Sequence, residues 1–189
     1  MSDVNPHSPE SRRRARIKFL LLGLFFLLPA AAATLAWWLD LVPGAPANYG
    51  TLLSPQQVQL PRPGVLKGKW VLVQFDAAQC SEACEHKLYF MRQVRRAMGR
   101  EVGRVERLWL LTDEGQPRPE VLAAIEGTVV VPARVVPDAE RRFPAEAAQT
   151  DHVFLVDPLG NVMMRFPKDP DPVRVIKDLQ RVLRLSRFG

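Results

Sequence analysis

Trp70-Val71-Leu72-Val73-Gln74-Phe75-Asp76-Ala77-Ala78-Gln79-Cys80-Ser81-Glu82-Ala83-Cys84 contains the only two cysteines of a 189-residue chain. The apolar, β-branched run from Trp70 to Phe75 reads as a buried strand. Beyond the cysteines, Leu88, Met91 and Val94 recur at helical spacing, so the sulfurs lie where a strand hands over to a helix. If Cys80 begins that helix, Cys84 stands on the same face one turn down. Two sulfurs so placed can grip one metal ion, or each other.

A thiol near a helix N-terminus loses its proton more easily, because free backbone N–H groups and aligned peptide dipoles favour the thiolate. Glu82 and Glu85 oppose this, since nearby negative charge raises a thiol pKa. The expectation is a muted nucleophile rather than a strong oxidant. The competing reading is a pair of unrelated, inert, buried cysteines.

Working back to the N-terminus, Met1 to Ser11 is polar and lacks an apolar period, which reads as a disordered tail. Arg12, Arg13, Arg14, Arg16 and Lys18 then precede a nearly uncharged stretch, Phe19 to Leu39. At about 1.5 Å per residue that stretch spans a hydrocarbon layer of roughly 30 Å. The basic cluster on its N-terminal side predicts Met1 in the cytoplasm and everything after Asp40 across the membrane, with Trp37 and Trp38 at the far interface. A cleaved signal peptide competes, because Leu20 to Leu28 resembles its apolar region and Ala30 to Ala33 offers small residues for cleavage. Continuation of the apolar stretch through Leu35, Trp37 and Leu39 favours the anchor. Either reading exports the rest of the chain into a compartment that permits disulfides, so a Cys80–Cys84 bond is the default there. With no further cysteine there is neither a stapled framework nor a four-cysteine zinc site.

Residues 40–63 are rich in proline and glycine and read as a linker and edge segment, with a short edge hairpin within Thr51 to Leu60. Residues 64–189 suffice for one α/β domain with its own core. The cysteine helix is expected to run to about Met98 and stop at Gly99. Val105 to Thr112 is a strand, and Pro117 to Glu126 a short helix. Val129 to Val136, flanked by Pro132 and Pro137, is an irregular or edge segment. His152 to Val156 and Val162 to Phe166 form a hairpin about Pro158-Leu159-Gly160-Asn161, and Pro172 to Ser186 is an amphipathic helix.

Strand, helix, strand, helix, hairpin, helix is the order of a thioredoxin-like fold with a mixed sheet. Here the sequence resembles the Sco/SenC family, membrane-anchored thioredoxin-like proteins that help assemble the copper site of cytochrome c oxidase. The likeness rests on Gly68-Lys69-Trp70 through Phe75 with Cys80 and Cys84 separated by three residues, on Leu110-Leu111-Thr112-Asp113 with Pro119-Glu120-Val121-Leu122, and on Asp151-His152 with Phe154-Leu155-Val156-Asp157-Pro158-Leu159-Gly160. It implies a copper site made by Cys80, Cys84 and His152, redox-active cysteines, and an oxidase subunit or another assembly factor as partner at a bacterial inner membrane. Two departures bear on the site. Glu85 follows the second cysteine where the family usually has proline, and His152 stands closer to the hairpin turn than the family's histidine does. His152 therefore has two readings, a ligand or a core histidine bonded to a backbone carbonyl. His86, two residues past Cys84, falls on roughly the opposite side of the helix, and His7 is on the cytoplasmic side.

Two thiolates and an imidazole form a soft, low-coordinate set that suits Cu(I), and oxidation of both sulfurs to a disulfide would release the metal. Three functional classes follow: a copper chaperone, a thiol–disulfide oxidoreductase or redox-sensing assembly factor without copper, and an inert scaffold. The net charge of +6 belongs partly to the arm before the membrane and partly to the solvated face of the last helix, which with export argues against nucleic acid. Asp113 and Glu114 read as a solvated loop. The sequence contains no glycine-rich phosphate loop and no convincing serine triad.

Overall fold

The computed structural model describes residues 9–39, 48–61 and 64–186. The chain divides into two units, Met1–Ala47 and Asn48–Gly189. The first holds one helix, α1 (Pro9–Trp38), so residues 9–11 are helical rather than part of the tail expected there. Its segment Arg16–Trp38, 23 residues long, is long and apolar enough to cross a membrane.

The second unit is built on a strand buried along both faces, β2 (Trp70–Asp76). Such a strand needs layers on either side, and its unbroken apolar run is the sequence form of that requirement. The other elements are β1 (Thr51–Gln57), α2 (Glu82–Arg96), β3 (Val105–Leu111), α3 (Pro119–Ala124), β4 (Val129–Pro132), α4 (Ala139–Arg142), β5 (Val153–Val156), β6 (Asn161–Phe166) and α5 (Pro172–Leu185). The sheet order is β1-β6-β5-β2-β3-β4. β2, β3 and β4 run parallel, whereas β5 lies antiparallel to β2 and β6, and β1 is antiparallel to β6. This is the mixed sheet of a thioredoxin-like fold.

One face of the sheet offers Trp70, Leu72, Val105, Leu155 and Phe166 to Met91 and Val94 of α2 and to Val175, Leu179 and Leu183 of α5. The other face presents Phe75 and Phe154, which meet Phe143 edge to face at centroid distances of 5.1 and 5.2 Å. Phe143, fully buried, follows α4 in a stretch with no helical or strand period.

Two expectations are corrected. Thr51 to Leu60 is no hairpin of its own: β1 is a single edge strand on β6, and its register shifts between Leu52 and Gln56, around Pro55. Proline cannot donate to a ladder, so the pairing skips there. Helix α2 ends at Arg96, and Gly99, at φ 56°, opens a 3-10 turn instead of directly terminating the helix.

The β5–β6 hairpin forms as expected. Asp157 Oδ1 accepts from the N–H groups of Leu159 (2.9 Å) and Asn161 (2.7 Å), and Gly160 supplies the φ of 93° that the turn requires.

Candidate functional site

The turn between β2 and α2 holds both cysteines. Cys80 is not helical: it adopts the left-handed conformation at φ 40°, and its N–H donates to the carbonyl of Ala77 at 3.0 Å. Ser81 is the N-cap, its hydroxyl accepting from the Cys84 N–H at 3.3 Å. Ser81 competes well for this place because a short hydroxyl satisfies an otherwise unpaired helix donor. The sulfurs therefore meet across the cap rather than down one helix face. They form a disulfide, with Cα atoms 5.2 Å apart.

Cys80 is 2% exposed and Cys84 fully buried, among Ala78, Leu88, Trp109, Leu111, Val121 and Ile125. Cys84 occupies the first turn of α2, where the aligned backbone N–H groups would favour its thiolate after reduction. Beneath it, Gln74 shares the sheet face of Trp70 and Leu72 and is itself fully buried. Its side-chain amide lies 3.6 Å from Cys84 Sγ and 3.4 Å from both the Cys84 carbonyl and Asp76 Oδ2. In the sequence Gln74 reads only as a strand residue. The signal was there, in a single polar side chain within an apolar run.

Asp76 closes β2 with a largely buried ion pair to Lys87 Nζ at 3.0 Å. Lys87 also donates to the carbonyl of Thr150, clasping the segment that leads to His152. On the opposite side of the turn, Asp113 Oδ1 accepts from the Ala78 N–H at 3.0 Å. Arg118 binds the Cys80 carbonyl at 3.0 Å and the carboxylate of Glu85. Asp113 thus has a structural task, Glu114 pairs with Arg134, and the charge of Glu85 is met by a cation. The muting expected of Glu82 and Glu85 therefore falls mainly on Glu82.

His152 immediately precedes β5. Since Gln74 pairs with Val153, His152 stands at the end of the sheet where β2 gives way to the cysteine turn. Its Nδ1 lies 2.9 Å from the Phe166 carbonyl, and its ring packs edge-on to Phe154 at 6.2 Å. A carbonyl only accepts, so Nδ1 carries a proton, and in the neutral imidazole the lone pair is then on Nε2. That Nε2 is buried and has no partner among the described residues. The carbonyl bond answers to the core-histidine reading, yet metal-bound imidazoles commonly donate their second N–H in the same way. Among the described residues, no group of three or more His, Cys, Asp or Glu side chains is gathered as a ligand set. The structure joins the two cysteines, whereas His152 stands at their end of the sheet without contacting them in this oxidised state. His86 is exposed on α2, and His7 lies outside the described residues.

Beside His152, Asp151 pairs with Lys168 at 3.0 Å. Hydrogen bonding to Lys168 holds the Asp151 carboxyl below its ordinary 3.8, and the same bond raises Lys168.

Residues 70–186, which include the whole cysteine turn and His152, match the model of a family described as transmembrane-like, thioredoxin-like, C-terminal domain. The chain belongs to this family. Its thioredoxin-like domain shares its fold with solved Sco proteins. Apo Sco1 from Thermus thermophilus is 22% identical, with a TM-score of 0.53 over 74% of this chain and 99% of that one. Yeast Sco1 with copper bound is 16% identical, with a TM-score of 0.54 over 75% and 95%. ScoI of Bradyrhizobium japonicum with copper bound is 21% identical, with a TM-score of 0.50 over 69% and 99%. A comparison with curated proteins found no match.

Proposed function

We propose that this protein is a membrane-anchored copper chaperone, an assembly factor for the copper site of cytochrome c oxidase, that takes Cu(I) as cargo when Cys80 and Cys84 are reduced. In this reading α1 spans a bacterial inner membrane, with the basic arm in the cytoplasm and the thioredoxin-like domain in the periplasm. The observation that carries it is the buried Nε2 of His152, without a partner among the described residues, at the sheet end that also holds the cysteine pair. Reduction would free two thiolates, the soft donors Cu(I) prefers, and the imidazole would supply a third. Oxidation to the disulfide removes two of the three donors, so release of cargo is coupled to thiol state. The resemblance of the sequence to the Sco/SenC family and the shared fold with copper-bound Sco proteins support the reading.

A second reading, a thiol–disulfide oxidoreductase or a redox-sensing assembly factor without copper, is favoured by the disulfide itself and by the Gln74 amide aimed at Cys84 Sγ. Competition titration of the reduced chain with Cu(I) separates the two. The chaperone binds one equivalent, Cys80→Ser and Cys84→Ser abolish tight binding, and His152→Ala weakens it by about 10- to 100-fold or more. Full affinity in His152→Ala would make the histidine structural. No uptake by the reduced wild type would leave the oxidoreductase reading in its place.

A further inference from the structure

A groove of about 380 Å³ runs between α2 and α3 beside the cysteine turn. Its floor is apolar, with Val121 and Ile125 both nearly buried, and Tyr89 stands in its wall with more than half of its surface exposed. Its rim has the opposite sign to the chain as a whole. Its lining holds Glu82, Glu85 and Glu120 against the guanidinium of Arg118, with His86 beside them and Arg92 reaching the Ala124 carbonyl, whereas the chain carries a net charge of +6. Glu82 and Glu120 have no cationic partner among the described residues. Arg118 is committed twice, to Glu85 and to the Cys80 carbonyl.

We propose that this groove is the docking site for a cationic segment of the client protein, and that seating it draws Arg118 away from Glu85 and uncovers Cys80. This deepens the reading above and rests on it, since it supposes a protein client for the cysteine turn. The occupant follows from the chemistry of the groove. An apolar side chain flanked by Lys or Arg buries against Val121, Ile125 and Tyr89 while its charges meet Glu82, Glu85 and Glu120. An anionic lipid surface would be repelled by the same rim. Arg118 links docking to the disulfide because a client cation at Glu85 competes for the carboxylate that holds the guanidinium over Cys80. Without that hold, the turn loses its bond to the Cys80 carbonyl. Cys80, in a left-handed conformation unfavourable to any residue with a Cβ, then has reason to relax outward.

The test uses the full oxidised, copper-free chain in neutral detergent, so it can fail while copper uptake by the reduced chain succeeds, and the reverse. The probes are fluorescent decapeptides with a Leu-Phe centre flanked by lysines, or by glutamates in the charge-inverted control. The lysine peptide should bind, more weakly as salt screens the rim. Glu82→Lys with Glu120→Lys, both at exposed positions, should weaken it by about tenfold or more. Glu140→Lys, an exposed change on α4, should leave it unchanged. The bound lysine peptide should also speed reduction of the disulfide by dithiothreitol. Arg118→Ala should show that faster reduction without peptide and gain nothing further from it. Equal binding of the glutamate peptide, or full affinity in the double charge reversal, overturns the proposal. So does a dimer of the chain that the lysine peptide dissociates, because the occupant would then be a second copy.

Discussion

Gln74 is where the sheet touches the disulfide. Its amide donates toward Cys84 Sγ at 3.6 Å, and its Oε1 is buried with no partner among the described residues. A hydrogen bond favours the charged form of a thiol, so removing the donor raises the thiol pKa. Gln74→Leu should therefore move the alkylation profile of Cys84 in the reduced protein toward higher pH, because the thiolate loses a hydrogen-bond donor. The pH dependence of alkylation by iodoacetamide measures it. An unchanged profile would mean that the amide does not act on the sulfur. Folding stability should change little, since Asp76 Oδ2 keeps its bond to Lys87 and the orphaned Oε1 disappears with the donor.

Among the elements, Lys87 ties α2 to the end of β2 and to the segment before His152, through Asp76 and the Thr150 carbonyl. Breaking a buried pair from one side leaves the other charge unpaired at a cost of about 3–5 kcal/mol. Lys87 and Asp76 keep 10% and 16% of their side-chain surface in solvent, which screens part of that cost. Lys87→Met should destabilise by about 2 kcal/mol in urea titration, and adding Asp76→Asn should recover part of the loss. A loss that Asp76→Asn does not reduce would assign the effect to the Thr150 contact. The neighbouring Asp151–Lys168 pair predicts a pH dependence. Asp151 titrates below its ordinary 3.8, so the stability it adds is complete above that value and is lost as pH falls through the lowered one. Lys168, raised, adds stability that is complete below its ordinary 10.5 and lost as pH climbs through its raised value. Below pH about 4 the wild type should therefore lose stability more steeply than Lys168→Met. Parallel acid limbs would mean that the pair contributes nothing in solution.

At the scale of the whole molecule, the candidate span and the basic cluster before it carry the topological expectation. Under the positive-inside rule, alkaline phosphatase fused after Gly189 should be active, and a fluorescent protein that matures only in the cytoplasm should be dark. The reverse pattern would put the cysteines in a reducing compartment and remove the argument for redox-coupled release of cargo.

The sequence by itself determined the buried strand ahead of the cysteines, the alternation of strands and helices, the β5–β6 hairpin and the apolar helix near the N-terminus. Each follows from a local pattern: an unbroken apolar run, a helical period, an Asp-Pro-Leu-Gly turn, a length. Tertiary structure decided the rest. α2 begins after a Ser81 cap rather than at Cys80, because the start of a helix is settled by which hydroxyl or backbone group reaches its first donors. β1 pairs with β6 rather than with itself, since an edge strand is placed by the ladder that accepts it. Phe143 completes the far layer of the core from a stretch with no period of its own. The surroundings of the disulfide come from contacts distant in sequence, with Asp113 and Arg118 reaching the cysteine turn from the segment after β3 and Lys87 reaching Thr150 from α2. No local spacing encodes such contacts, because they exist only once packing has brought those segments to one end of the sheet.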